Sequence, residues 1–211
     1  MRLLDLIYPP RCVLCHDHLP RGGAYTCEAC SRRLLRQEPI KRKLRFLDGM
    51  VAVAPYEEPY RGSVQRFKFG GCAFYAYPYA DWLSACIRSE LGGAFELVTW
   101  APVSASRSLR RGYDQARLIA VQAAKRLDAP LVRCLRKKRH NPAQSGLKTP
   151  EQRRANVTGV YRAVKPERFA GKRILLIDDV VTTGATVEEC ARVLLTAGAA
   201  SVVCASVATV K

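Results

Sequence analysis

The sequence predicts an α/β fold: a mostly parallel sheet with flanking helices, preceded by a small N-terminal cysteine module. Three observations carry this. From about Phe46 onward, short apolar runs alternate with segments of helical periodicity, the pattern of a parallel sheet covered on both faces. Near the N-terminus stand two Cys-x-x-Cys pairs, Cys12 with Cys15 and Cys27 with Cys30. Late in the chain, the apolar run Ile174-Leu175-Leu176-Ile177 passes directly into Asp178-Asp179 and a turn rich in threonine and glycine.

The first unit spans residues 1–38. Eleven residues separate its two cysteine pairs, with Pro20 and Gly22-Gly23 between them. Each Cys-x-x-Cys can fold as a tight knuckle presenting two thiolates, and two knuckles complete the tetrahedron that zinc prefers. Four protein ligands leave no open position, so the zinc is structural in role. A module this small lacks a core of its own and depends on the metal. Redox-active pairs are the alternative reading of the same spacing. His16 and His18 are expected to be solvated, and Cys72, Cys86, Cys134, Cys190 and Cys204 to be mostly small buried thiols.

A basic stretch follows, read as a linker or as a solvated helix followed by a linker, with residues 39–48 as the linker itself. Between Ser31 and Arg45 lie Arg32, Arg33, Arg36, Lys41, Arg42, Lys43 and Arg45, with Glu38 the one acid. The main unit is residues 49–211. Val51–Ala54 reads as a strand and Phe74–Leu91 as a helix closed by Gly92-Gly93. Leu97–Ala101 is a buried strand ending at Pro102. Ala116, Ile119, Ala120, Ala123, Ala124 and Leu127 recur at helical spacing, and that helix stops before Pro130. Arg173–Ile177 is a strand; Val187, Cys190, Ala191 and Leu194 form one apolar helical face ending near Gly198; Val202–Val207 is the last strand.

Lys and Arg total 35 against 18 Asp and Glu, a net charge of +17. A balance this basic points to anionic partners: nucleic acid, phosphorylated small molecules or an acidic membrane surface. No apolar run is long enough to span a membrane, and Leu3, Leu4, Leu6 and Ile7 are too short for a secretory leader core, so the chain is expected to stay in the cytoplasm.

The richest stretch is Ile174 to Thr186. A strand apolar on both faces ends at paired carboxylates, and in open α/β sheets that edge is where ligands bind. Thr182-Thr183-Gly184-Ala185-Thr186 then turns into a helix. Its backbone N–H groups and hydroxyls can wrap a phosphate, and Gly184 permits close approach. Asp178 and Asp179 suit the two vicinal hydroxyls of a ribose. In this order the parts resemble the 5-phosphoribosyl 1-pyrophosphate (PRPP) signature of the type I phosphoribosyltransferases. Two solvated acids ahead of a threonine-rich helix start are the plainer reading.

Further segments make the resemblance specific. Pro102-Val103-Ser104, Arg107, Arg110-Arg111-Gly112-Tyr113-Asp114-Gln115-Ala116, Gln144, Arg154, Asn156-Val157 and Gly171-Lys172 are similar to the ComF family, as are Tyr60-Arg61-Gly62 and Phe67-Lys68-Phe69-Gly70. These competence-related proteins carry an amidophosphoribosyltransferase-like domain and, usually, an N-terminal four-cysteine zinc ribbon. Asp114 stands where Asn is commoner in the family, and Ala105 and Ser106 where basic residues are frequent.

The resemblance implies a type I phosphoribosyltransferase-like fold binding PRPP. The loop residues Ser104, Ala105, Ser106 and Arg107 would then lie near the pyrophosphate, with Mg²⁺ bridging pyrophosphate and ribose oxygens. Arg136–Gly146 would be a lid over the ligand. The implied reaction is displacement of pyrophosphate at the anomeric carbon through an oxocarbenium-like transition state. The acceptor and a general base remain unassigned; His140 is a lone loop histidine. The alternative reading is a non-catalytic accessory protein for DNA uptake. It would bind single-stranded DNA or another polyanion, work beside competence or DNA-processing proteins, and keep the fold as a scaffold or PRPP sensor.

Overall fold

Strands that are apolar on both faces need cover on both faces, and this requirement sets the architecture. The computed structural model describes residues 10–20, 25–138 and 156–210. Five strands form the main sheet: β1 (Ile40–Arg42), β2 (Gly49–Pro55), β3 (Leu97–Trp100), β6 (Arg173–Val181) and β7 (Ser201–Thr209), in the order β1-β2-β7-β6-β3. The last four in that order run parallel and β1 closes one edge antiparallel to β2. A separate antiparallel pair consists of β4 (Leu135–Lys137) and β5 (Tyr161–Ala163). The helices are α1 (Glu28–Leu35), α2 (Tyr60–Phe69), α3 (Ala76–Leu91), α4 (Ala105–Arg111), α5 (Gln115–Leu127) and α6 (Ala185–Thr196).

Side-chain alternation splits the core into two layers. Leu175 and Ile177 of β6 and Val203, Ala205 and Val207 of β7 pack with α2, α3 and α5. Ile174 and Leu176, Val202 and Cys204 face the other way, toward α6 and the β4–β5 pair. The sheet is therefore mostly parallel and doubly covered, as the alternation of apolar runs predicts. Strands β6 and β7 run further than their apolar cores: Asp178 and Asp179 lie within β6, which continues to Val181.

Two segments differ from expectation. Ile40–Arg42, expected as linker, is an edge strand, because its alternate residues Ile40 and Arg42 are partly covered and pair onto β2. Arg136 and Lys137, expected at the start of a lid, form β4 against Arg162 and Tyr161; the remainder of the expected lid, from residue 139, lies outside the described residues. The cysteine module packs against the main unit. Val13 and Leu14 are buried in the α2–α3 layer. Ser63 Oγ donates to the Val13 carbonyl at 2.5 Å, and Arg66 Nη2 donates to the carbonyls of Val13 and Leu14 at 3.1 and 2.5 Å.

Among the described residues no helix is long and apolar enough to cross a membrane.

Candidate functional site

The parallel strands end together on one edge, and the site is built there. Asp178 and Asp179 leave β6 into a cleft of about 540 Å³ that takes further walls from α2, the β3–α4 loop, α4, β4 and β5. Lys68 from α2 places Nζ 2.9 Å from Asp179 Oδ1, in a setting where Asp179 is only 8% exposed. Asp178 Oδ1 accepts from the Asp179 backbone N–H at 2.8 Å. Burial, followed by the neighbouring charge of Asp179, pushes the Asp178 carboxyl well above the usual carboxylate range, and Lys68 partly offsets this.

Beyond β6 the chain makes its turn. Gly184 caps α6 at φ +90°, a left-handed conformation natural to glycine. Thr183 Oγ1 accepts from the Ala185 N–H at 3.5 Å. Thr182 and Thr186 line the main cleft, and Gly184 and Ala185 line an adjoining recess that shares Asp178, Thr182 and Thr186.

The opposite wall comes from the β3–α4 loop. Asp114 caps α5, accepting from the Arg117 N–H at 3.1 Å, and its other oxygen accepts from the Val103 N–H at 3.2 Å. Burial raises the Asp114 carboxyl despite these donors. Asp114 thus anchors the loop from inside the fold. Ser104 is buried at the α4 N-cap, with its hydroxyl 3.3 Å from that of Ser106. Val103 and Arg107 reach the cleft wall, while Ala105 and Ser106 are exposed beside it.

Five cations converge on this space: Lys68, Arg107, Arg110, Arg111 and Lys137. Arg111 stacks its guanidinium 4.9 Å from the centre of the Phe69 ring and bonds Gln115 Oε1 at 2.9 Å. Its Nε is buried without a hydrogen-bond partner among the described residues. Lys137 Nζ stands 5.4 Å from the centre of the Tyr161 ring. Burial, then the Arg107 charge, holds the Lys137 ammonium down to about 8, and burial keeps the Tyr161 hydroxyl neutral. Two carboxylates faced by five cations make a cleft suited to a polyanion that also carries hydroxyls.

The acids, the turn and Arg107 are legible in the sequence, whereas Lys68, Arg111, Lys137 and Tyr161 join the cleft only through the fold. The Phe67-Lys68-Phe69-Gly70 segment is the one sequence signal for Lys68.

The second centre is the cysteine cluster. Cys12, Cys15, Cys27 and Cys30 bring their sulfurs within 4.8 Å of one another, the one such group of possible metal ligands among the described residues. Cys15 Sγ and Cys27 Sγ are 3.7 Å apart. Zn–S bonds of about 2.3 Å in a tetrahedron put sulfurs about 3.8 Å apart, so the thiols fit zinc. After Cys15 the chain turns at His16, φ +70°, whose N–H donates to the Cys12 carbonyl at 2.9 Å and closes the knuckle.

Two family descriptions match this chain: a phosphoribosyl transferase domain over residues 114–211 and a double zinc ribbon domain over residues 3–43. The four cysteines and the Asp178–Thr186 segment fall within these matches. The chain is 30% identical to competence protein F of Haemophilus influenzae, over 87% of this chain and 90% of that protein. It is 28% identical to competence protein ComFC of Bacillus subtilis, over 95% of this chain and 85% of that one. It is 27% identical to the DNA utilization protein YhgH of Escherichia coli, over 92% and 80%.

Proposed function

Since the chain belongs to the competence protein F family, we propose that its phosphoribosyl transferase domain binds PRPP with Mg²⁺ and transfers the phosphoribosyl group to an acceptor during DNA or nucleotide handling. The observation that carries this reading is the shared cleft. Asp178 and Asp179 stand beside the Thr182–Thr186 turn, and Lys68, Arg107, Arg110, Arg111 and Lys137 surround them.

In this reading the turn holds the 5-phosphate through backbone N–H groups at the start of α6. The two carboxylates accept the ribose hydroxyls. Ser104, Ala105, Ser106 and Arg107 flank the pyrophosphate, with Arg107 and Lys137 supplying cations. Lys68 neutralises Asp179 in the free protein, which keeps a buried acid beside a half-buried one tolerable before the ligand arrives. Arg111 offers an unpartnered donor to an anion. Asp178 and Asp179 are the residues beside which Mg²⁺ would enter with the ligand, and it would supply charge neutralisation of the leaving group. The protein's own share of the chemistry is orientation and a fixed electrostatic frame.

A second reading, a polyanion-binding accessory protein that uses this fold as a PRPP sensor, draws on the +17 charge and on relatives named for competence and DNA utilization.

Calorimetric titration with PRPP and Mg²⁺ tests the pocket before any acceptor is known. Saturable binding that is lost with both Asp178→Asn and Asp179→Asn supports the first reading. No heat at millimolar PRPP rejects it. Release of pyrophosphate with a nucleobase or amine acceptor would separate the transferase from the sensor.

A further inference from the structure

The basic connector divides by parity. Along residues 40–45 the odd positions Lys41, Lys43 and Arg45 are exposed, whereas Ile40, Arg42 and Leu44 are partly covered. The inward row does not simply pack on β2; it reaches the turn between β6 and α6. Arg42 Nη1 donates to the Thr182 carbonyl at 2.6 Å, to Thr209 Oγ1 at 2.8 Å and, at the limit of contact, to the Val181 carbonyl at 3.5 Å. Leu44 fills the space beside Gly184, where a Cβ would come within 2.7 Å of its Cδ2. The Arg45 N–H donates to Glu188 Oε1 at 3.1 Å, in the first turn of α6. A short run of connector therefore touches the turn at its carbonyl end, at its left-handed glycine and at the helix it opens into.

The peptide plane turns these contacts into a functional statement. In a trans peptide the C=O of one residue and the N–H of the next point in opposite directions. Arg42 holds the Thr182 carbonyl, so the Thr183 N–H is aimed away from Arg42. A phosphate-holding turn works only when its N–H groups converge and its carbonyls are turned out and satisfied. A flip of that plane would present a carbonyl to the anion and strip the guanidinium of its best acceptor. Leu44 packs on the connector side of Gly184 and resists a shift of the turn that way.

We propose that Arg42, seconded by Leu44, is a positioning residue that locks the Thr182–Thr183 peptide in its anion-binding orientation. This makes the strand leaving the cysteine module part of the phosphate site. The proposal rests on the reading of Thr182–Thr186 as the phosphate-holding turn.

The test uses the full chain with zinc bound, ribose 5-phosphate and PRPP as probes, and the variants Arg42→Gln, Arg42→Lys and Leu44→Ala. Without ligand, amide exchange at Thr183 to Thr186 is expected to speed up in Arg42→Gln and Leu44→Ala, with Leu175 and Ala191 unchanged. With ligand, Arg42→Gln is expected to bind ribose 5-phosphate about tenfold more weakly, the loss typical of one charge-assisted hydrogen bond. Leu44→Ala weakens binding although it removes no charge. Full rescue by Arg42→Lys together with unchanged exchange at the turn would mean that only the charge matters, and would overturn the proposal. So would normal affinity in Leu44→Ala and Arg42→Gln alike. If the wild-type chain binds neither probe, the phosphoribosyl reading fails, and the exchange measurement alone decides the brace.

Discussion

Replacing Asp178 or Asp179 by asparagine is expected to move stability in opposite directions while weakening PRPP binding in both cases. Asp178 is partly covered and stands beside a second carboxylate, so its folded-state carboxyl is raised above its unfolded value. A carboxyl raised in this way costs stability above the unfolded value near pH 4, and the cost is relieved as pH falls toward it. Each unit of such a shift is worth about 1.4 kcal/mol. Allowing for the shared titration of the pair, Asp178→Asn should stabilise the ligand-free protein at pH 7 by about 1 to 2 kcal/mol, or a few degrees in Tm for a chain of this size.

Asp179→Asn instead removes the anionic partner 2.9 Å from Lys68, an ammonium whose side chain is only 20% exposed. That leaves a partly buried cation facing a neutral amide and should cost about 1 to 3 kcal/mol. Both variants lose a charged acceptor for a ribose hydroxyl. At roughly 1.5–3 kcal/mol per charge-assisted hydrogen bond, PRPP affinity should fall at least tenfold in the double variant. Thermal melts at pH 7 and pH 5, paired with calorimetric titration, read all of this. The advantage of Asp178→Asn should shrink at pH 5, which lies closer to the unfolded carboxyl's own value, so that holding the group protonated in the fold costs less there. Equal destabilisation by the two single variants would refute the electrostatic account; undiminished affinity in the double variant would refute the site.

The cysteine cluster should carry zinc through Cys12, Cys15, Cys27 and Cys30, and metal analysis of protein purified without chelator finding none would reject it. Because Val13 and Leu14 bond to Ser63 and Arg66, Cys→Ala at any of the four should lower the melting temperature of the main unit and not only unfold the module; an unchanged main transition would show the two to be independent. Lys137, held down to about 8 by burial and Arg107, is charged below that value and loses its charge above it. The share of PRPP affinity that Lys137 supplies should therefore hold up to about pH 8 and be lost above it, so the gap in affinity between wild type and Lys137→Met should close as pH rises through 8. Single-stranded DNA, if bound, should show a salt slope of about −0.7 per contact, flattened by Lys43→Gln with Arg45→Gln. Unchanged binding in that variant would remove the connector from the DNA surface; Arg42 is left intact because its loss would disturb the phosphate turn.

The parallel sheet was legible because its strands are continuous apolar runs, and the C-terminal strand–turn–helix because a buried strand meeting paired acids has few other readings. Helix α2 was not. Its buried residues Tyr60, Ser63, Val64 and Phe67 follow helical spacing, but Ser63 occupies a core position and breaks the apolar stripe. The serine is tolerated there because it bonds the Val13 carbonyl at 2.5 Å and the Tyr79 hydroxyl at 2.6 Å. Both partners are remote in sequence, so nothing local marks it as a core residue. The connector misled for a related reason. Its alternation of Ile40, Arg42 and Leu44 with Lys41, Lys43 and Arg45 has the period of a strand, yet a covered arginine hides the apolar row. Lys41 is likewise held, by an ion pair with Glu90.

The same contrast explains why the cleft was half visible. A phosphate-holding turn works through backbone N–H groups, which point correctly only when several consecutive residues adopt one conformation. Such a device has to be contiguous, and contiguity is what a sequence displays. Cations act through long side chains that can reach a common point from any supporting element. Lys68, Arg107, Arg111 and Lys137 come from α2, α4 and β4, so no spacing rule connects them. What selects these four, with Arg110, from the 35 Lys and Arg residues of the chain is that folding brings them to one cleft with Asp178 and Asp179. Net charge could announce an anionic partner, but only the fold could say which cations are committed to the cleft and which, like Arg42, hold the turn from behind.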